Sequence, residues 1–382
     1  MSFKKFLSRT ATVAALACAP LAAKAGTLDT LYSFTGGTDG GGVYDRLALR
    51  YKEIYGTTNS GGATGDGTIF QVDPKTGAET VLYSFAGGAD GANPQSHLTL
   101  DKKILYGVTT AGGTSNAGTI FSFNPKTKKE VTLYSFTGGA DGSNPVGGLA
   151  YASGYLWGVC TYGGVNNNGT VFKIDVATGA ETTVYSFAGG SDGAQPVAAP
   201  IYIGGVFYGT TVNGGAGNTG TVYSVNATSG AEAVLYSFQG GTDGNYPFAS
   251  LIYEHGYLFG TTYAGGSANS GTVFYYNLKA GKEDVVYTFT GGADGAYPTA
   301  GLAYGNNIIY GTASEGGAGY GTIFSIDAYT LAEATEYTFT GGADGAYPRG
   351  DLTLATNKKT FYGSTAGDNQ SPYFGTVFSY TP

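Results

Sequence analysis

The stretch Leu31-Tyr32-Ser33-Phe34-Thr35-Gly36-Gly37-Thr38-Asp39-Gly40 decides the fold, because it returns nearly intact along the chain. Its tyrosine recurs as Tyr83, Tyr134, Tyr185, Tyr236, Tyr287 and Tyr337, 51 residues apart each time and 50 at the last step. A Gly-Thr pair followed by an aliphatic and an aromatic residue recurs at Gly67, Gly118, Gly169, Gly220, Gly271, Gly321 and Gly375. A third signal, Tyr55-Gly56-Thr57-Thr58, recurs with variations at Tyr106, Trp157, Tyr208, Phe259, Tyr310 and Tyr362. Residues 26–382 number 357, which is seven units of 51, so a single domain is expected and nothing is left for a second.

Each unit carries four strand signals, A to D. In the second unit they lie near Ser96–Leu100, Ile104–Thr109, Thr119–Phe123 and Glu130–Phe136. Both faces of strand D are largely apolar, as expected of a sheet covered on both sides. The C-to-D turn Asn124-Pro125-Lys126-Thr127 has proline at its second position. Its first position is Asp73, Asp175, Asn226, Asn277 or Asp327 in other units, a side chain that closes such turns. Four short strands per 50 residues is the size of a propeller blade.

The phase of the repeat adds a closure argument. Residues 28–34 read as a D strand, and residues 376–380 read as a C strand. If the first pairs beside the last, the ring shuts and no edge stays open. The expected fold is therefore all-β: a seven-bladed β-propeller of four-stranded antiparallel blades, closed by pairing the N-terminal strand with the C-terminal strand. An open β-solenoid, the rival, needs capping repeats that the sequence lacks.

Composition agrees. The chain has 382 residues with 67 glycines, 32 tyrosines and 21 phenylalanines, and the glycines follow no G-X-Y rule. Residues 1–25 read as a secretory signal: Lys4, Lys5 and Arg9, then an apolar stretch Ala11–Ala22, then Ala23-Lys24-Ala25 as a cleavage site. Export to the periplasm or the medium is expected, with cleavage favoured over lipidation of Cys18. Cleavage leaves Cys160 alone, so no intrachain disulfide is expected. It also removes four cations and moves the formal charge from −8 to −12. So acidic a protein repels phosphates, and nucleic acid is not an expected partner. No segment of the mature chain is apolar enough to span a bilayer.

The combination Leu-Tyr-Ser-Phe-x-Gly-Gly-x-Asp-Gly, Tyr-Gly-Thr-Thr and Gly-Thr-Val-Phe resembles the GloVer tandem repeat of bacterial proteins, matched seven times over the mature chain. The resemblance implies export and a propeller-like fold, and members often carry a C-terminal anchor. No such anchor follows the last strand here, so surface attachment through one is not expected. The resemblance transfers no catalytic residues.

An A-B-C-D meander puts the B-C and D-A loops at one end, so both glycine-rich loops share a face, the expected binding face. The repeated aspartates Asp39, Asp90, Asp141, Asp192, Asp243, Asp294 and Asp344 read as turn caps. A ring of Ca²⁺ ligands is the rival reading, but one carboxylate per loop supplies few of the oxygens calcium needs. No cofactor is expected.

The informative residues break the repeat. Where His97 stands, four blades have Gly148, Ala199, Ser250 and Gly301, while Arg46 and Asp351 are the other exceptions. Asp45 departs from a row of small residues one position earlier, and Arg349 follows Pro348. Closure makes blades 7, 1 and 2 neighbours, so Asp45, Arg46, His97, Arg349 and Asp351 are expected to gather at the channel mouth, as a ligand site or as an ion-pair patch. Tyr347, with Tyr246 and Tyr297, precedes a proline of a D-A loop and stands as an aromatic candidate for stacking on sugar rings. Tyr162, Tyr263 and Tyr320 lie in B-C loops. His255 falls in an A-B hairpin, on the opposite face.

The chain shows no zinc spacing, nucleophile elbow or phosphate loop. The expected function is a monomeric binding or scaffold module for polysaccharide or another envelope protein. A polysaccharide lyase or hydrolase at the channel mouth and a structural envelope protein are the alternatives.

Overall fold

In a computed structural model of the chain, residues 26–50, 52–367 and 374–382 are described. They form seven antiparallel sheets, one per repeat, set as blades in a ring. The signal-peptide reading of residues 1–25 lies outside the described residues. The first strand among the described residues, β1 (Thr27–Ser33), pairs antiparallel with the last, β29 (Thr376–Thr381), Leu28 opposite Tyr380 and Thr30 opposite Phe378. Blade 7 is thus β1 outside, then β29, then β28 (Phe361–Thr365) and β27 (Thr353–Leu354) toward the axis. Closure is as the repeat phase predicts.

The core explains the motif. The phenylalanine of each D strand packs edge-on against the C-strand aromatic of the next blade. Phe85 meets Phe121, Phe136 meets Phe172, and Phe187 meets Tyr223, with ring centroids 5.0–5.2 Å apart. The last seams close the same way, Phe339 on Phe378 and Phe34 on Phe70. These rings have no accessible surface or almost none, and burying one is worth about 1.5–3 kcal/mol, with up to ~1.5 kcal/mol more from the aromatic pairing. The C-strand ring crosses the B strand at the glycine of Tyr-Gly-Thr. A Cβ at Gly107 would lie 2.5 Å from Phe121, and one at Gly363 would lie 2.4 Å from Phe378. That glycine is there because the ring fills the space.

Two further motif residues bond across the B-C pair. Thr109 and Thr119 share a buried hydroxyl contact at 2.8 Å, as do Thr58 and Thr68. In blade 3 Cys160 takes the place of the first threonine, and it is a free, buried thiol. The Asx turns also form as expected: the Asp73 and Asn124 carboxyl and amide oxygens accept the backbone N–H of Lys75 and Lys126.

Strands B, C and D of blade 2 run Ile104–Thr109, Thr119–Asn124 and Lys129–Ser135, close to expectation. Strand A departs from it. It is regular only over Thr99–Asp101, not from Ser96. In this blade Ser96 Oγ accepts the Val108 N–H at 3.0 Å, and the A strands of blades 1, 5 and 6, which have no serine there, begin at the same level, at Ala48, Ile252 and Ala303. The approach to the axis is therefore irregular backbone, which lets residues at this level face the channel.

Candidate functional site

The two glycine-rich loops of each blade do share one face, and they bond to each other there. The Gly113 N–H donates to the Gly88 carbonyl, and the Gly164 N–H to the Gly139 carbonyl at 2.9 Å. Each repeated aspartate is held inside its own loop. In all seven blades the D-strand tyrosine hydroxyl donates to it at 2.6–3.1 Å. The backbone N–H four residues earlier donates at 2.5–2.8 Å. The turn-cap reading is the one this geometry supports. Among the described residues no cluster of three or more His, Cys, Asp or Glu could hold a metal ion.

At the axis this face opens into a cavity of about 780 Å³. Five of the six sequence-predicted residues line it: Asp45, Arg46, His97, Arg349 and Asp351. Tyr347 stands outside the lining, half-buried beside Tyr320 at a centroid distance of 6.2 Å. A second cavity, of about 560 Å³, lies along the inner strands of blades 7, 1, 2 and 3, and Arg46 lines both.

Two of the exceptions, His97 and Asp351, are accommodated by glycine in a neighbouring blade. The His97 ring lies against blade 3 where a Cβ on Gly148 would approach Nδ1 to 2.5 Å. Gly147 and Gly148 take φ of 75° and 93°, a left-handed kink that shifts the strand register between Val146 and Ala150. Asp351 accepts the backbone N–H of Gly301 in blade 6, where a Cβ would lie 2.7 Å from its carboxylate. The Asp45 carbonyl accepts the Ser364 hydroxyl at 3.3 Å, tying blade 1 to blade 7. The small residues at these positions make room for the side chain next door, rather than only relieving crowding on the axis.

Arg46 is exposed, and no ion pair within 4.0 Å joins it to Asp351 among the described residues. The ion-pair patch foreseen as an alternative is thus absent in that form. The charges still act on one another. Channel water reaches Asp45, but the protein packed round it and the nearby Asp351 raise its carboxyl to about 7, against the pull of Arg46. Burial likewise raises Asp351, which Arg46 and the Gly301 N–H oppose. His97 is pushed down to about 3 by burial and by Arg46, so its ring is neutral at physiological pH. Arg349 lies over the Tyr44 ring at 5.9 Å.

Besides Arg349, Tyr162 and Tyr263, which the sequence analysis named, the lining holds residues that sequence reasoning did not single out. The residue after the D-A loop proline, or its counterpart, contributes from every blade: Tyr44, Gln95, Val146, Val197, Phe248, Thr299 and Arg349. It is a different residue type in almost every blade, amid loops that otherwise repeat. From blades 3 to 5 come Tyr162, Phe248 and Tyr263. Tyr162 is 43 % exposed and Phe248 36 %. Phe248 meets Tyr263 edge-on at 5.5 Å, and Tyr263 stacks on Tyr297 at 4.9 Å. Tyr246, Tyr297 and Tyr347 hold φ of 58°, 54° and 57°, a left-handed backbone unfavourable to a bulky residue. Asn93 and Asn144 occupy the same conformation cheaply in blades 2 and 3. The mouth is thus polar and charged on the side of blades 7, 1 and 2, and aromatic on the side of blades 3 to 5. His255 sits in the A-B hairpin between Glu254 and Tyr257, as expected.

Ring closure and a loop-lined axial cavity make this a seven-bladed β-propeller whose variable residues converge on one mouth. The chain belongs to the Gloeobacter/Verrucomicrobia repeat family, whose pattern matches residues 20–211 and 163–378. No curated protein sequence matches it. Solved structures share the fold at low identity. An oligogalacturonate lyase from Vibrio parahaemolyticus is 9 % identical with a TM-score of 0.57, over 94 % of each chain. A protein assigned as a 6-phosphogluconolactonase from Bacteroides uniformis is 16 % identical, with a TM-score of 0.55 over 84 % of this chain and 89 % of that one. The extracellular domain of a protein assigned to a hybrid two component system in B. thetaiotaomicron is 13 % identical, with a TM-score of 0.62 over 94 % of this chain and 42 % of that one. Among the described residues no helix is long and apolar enough to cross a membrane.

Proposed function

We propose that this is an exported binding module that takes polysaccharide at the glycine-loop mouth of its channel. One observation carries the reading: the position that varies from blade to blade lines a single cavity in all seven blades. A residue free to differ in each copy is not needed by the blade, so its choice serves what enters the cavity. The two sides of the mouth suit a sugar. The apolar C–H face of the ring stacks on Phe248 and Tyr263, and its hydroxyls meet Gln95, Asp45, Arg46 and Arg349.

The test is a glycan array probed with the wild-type protein and with Phe248→Ala/Tyr263→Ala. The wild type is expected to retain a subset of glycans, and the double variant to lose at least ~10-fold in affinity for them, the equivalent of one missing aromatic contact. Its melting temperature should change little, since Phe248 is exposed and Tyr263 lies at the cavity rim. No retained glycan, or equal retention by the variant, removes the reading and leaves a structural envelope protein.

The Asp45–Asp351 pair favours one second reading, a polysaccharide lyase or hydrolase, because a carboxyl raised to about 7 beside another can hold or accept a proton near neutral pH. Release of products from a polysaccharide, lost in His97→Ala, would support it.

A further inference from the structure

Beyond the mouth, the seams between blades carry half-buried acids that the repeat places as regularly as the motif. Glu79, Glu181, Glu232 and Glu333 open the D strands of blades 1, 3, 4 and 6, and Glu130 and Glu283 stand second in those of blades 2 and 5. Each faces the tyrosine–aspartate pair of the preceding blade: Glu79 faces Tyr32 and Asp39, and Glu283 faces Tyr236 and Asp243. Asp192 and Asp243 are the charges that act most strongly on Glu232 and Glu283. One carboxyl oxygen, Oε1, is buried without a partner in Glu79, Glu232 and Glu283, and Glu283 as a whole is only 9 % exposed. At the closure seam Leu28 takes the glutamate's place.

Two carboxylates side by side in a half-buried seam, one with an orphaned buried oxygen, are unfavourable unless something positive joins them. The aspartate cannot be where it settles. Its oxygens already accept the tyrosine hydroxyl and a backbone N–H, and in blade 2's outgoing loop Asp141 also accepts the Thr137 hydroxyl. Such donors keep an aspartate ionised, as at Asp294, which they hold below the ordinary carboxylate range against the effect of burial. The groups facing the glutamates supply no cation. Glu283 meets Asp243, Asp284, Tyr236 and Tyr275; Glu232 meets Asp192, Tyr185 and Tyr223; Glu79 meets Asp39 and Tyr32.

We propose that Glu79, Glu232 and Glu283, the seam glutamates with an orphaned buried oxygen, are proton-binding sites that take up a proton near neutral pH and donate it toward the aspartate of the preceding blade, so that the propeller is tightened by acid and loosened by base. Burial and the facing aspartate raise Glu79, Glu130, Glu232 and Glu333 to about 7 and Glu283 to about 8, and raise Glu181 as well. A group raised on folding contributes stability that is full below its unfolded value, near 4.5, and is lost as pH rises through 7 to 8. The closure seam, with Leu28, is exempt.

The experiment compares thermal midpoints at pH 5.5 and 8.5, in EDTA, for the wild type and for E79Q/E232Q/E283Q. Glutamine donates from its amide and never ionises. The wild-type midpoint is expected to fall by on the order of 10 °C between the two pH values, and the variant's by about half as much. Calorimetry of wild-type unfolding at pH 7 in buffers of different ionisation enthalpy gives a second readout that needs no variant. Unfolding is expected to release more than two protons. A wild-type midpoint that is flat or rises with pH, or unfolding without proton release, overturns the proposal. So does a midpoint at pH 8.5 that Ca²⁺ raises in the wild type but not in the variant, since a cation then holds the seams.

Discussion

A chain lacking residues 26–34 will fail to give a folded monomer. The deletion removes β1, which pairs with β29 from Thr27 opposite Thr381 to Ser33 opposite Thr376. It also removes Phe34, 3 % exposed, from its edge-on contact with Phe70 in blade 1. Two neighbours are stripped at once: blade 7 loses its outer strand, and blade 1 loses the ring that covers its core. The unpaired edge of β29 then presents a row of donors and acceptors to other chains. Loss of one large buried aromatic alone costs about 3–5 kcal/mol, comparable with the whole stability of many domains. The expected result is loss of a cooperative thermal transition, with aggregates in size-exclusion chromatography. A sharp transition and a monomer peak would mean that blade 7 is complete without its N-terminal strand.

The second large effect is expected at a single side chain. Asp141→Ala leaves the Tyr134 hydroxyl, the Thr137 N–H and the Thr137 hydroxyl without their acceptor, in a loop where Asp141 is 9 % exposed. Hydrogen bonds to a charged acceptor are worth about 1.5–3 kcal/mol each and do not add fully, so a loss of about 2–4 kcal/mol follows. Denaturant unfolding measures it. Tyr134→Phe removes only one of the three bonds and should cost less than half as much. If Asp141→Ala costs under about 0.5 kcal/mol, in the range of an ordinary surface substitution, the aspartate does not hold the loop.

These two outcomes rest on features that the sequence carries openly. The D-strand signal at residue 28 and the C-strand signal at residue 376 belong to one interrupted repeat, so closure is legible from phase alone. The charged exceptions are legible for the opposite reason: His97 and Asp351 stand out because glycine and alanine fill their position elsewhere. What the exceptions lean on is not legible. That Gly148 makes room for His97, and Gly301 for Asp351, depends on which way each inner segment turns.

The ring of residues after the prolines escaped for a different reason. Tyr44, Val146 and Phe248 are all apolar, Gln95 and Thr299 polar, so no consensus exists for any of them to break, and only the fold brings them to one cavity. Strand A was placed too early because the residue pattern runs on before Thr99, whereas regular pairing begins only there, as it does at Ala48, Ile252 and Ala303 in other blades. The seam glutamates recur in the sequence, but their surroundings do not show there. Their burial comes from the blade packed in front of them, and neither Glu283 nor Tyr236 announces that in sequence.

The most direct measurement is a cross-link across the closing pair. Asp29 and Ser379 stand opposite each other on β1 and β29, at the separation of paired strands, which suits a disulfide. In Asp29→Cys/Ser379→Cys, oxidation should give one intrachain bond joining residues 29 and 379 in a monomer, identified by peptide mass spectrometry, with Cys160 untouched in its buried position. Thiols that stay reduced, or that join only between molecules, would mean the ends of the chain do not meet and blades 7, 1 and 2 do not share a mouth.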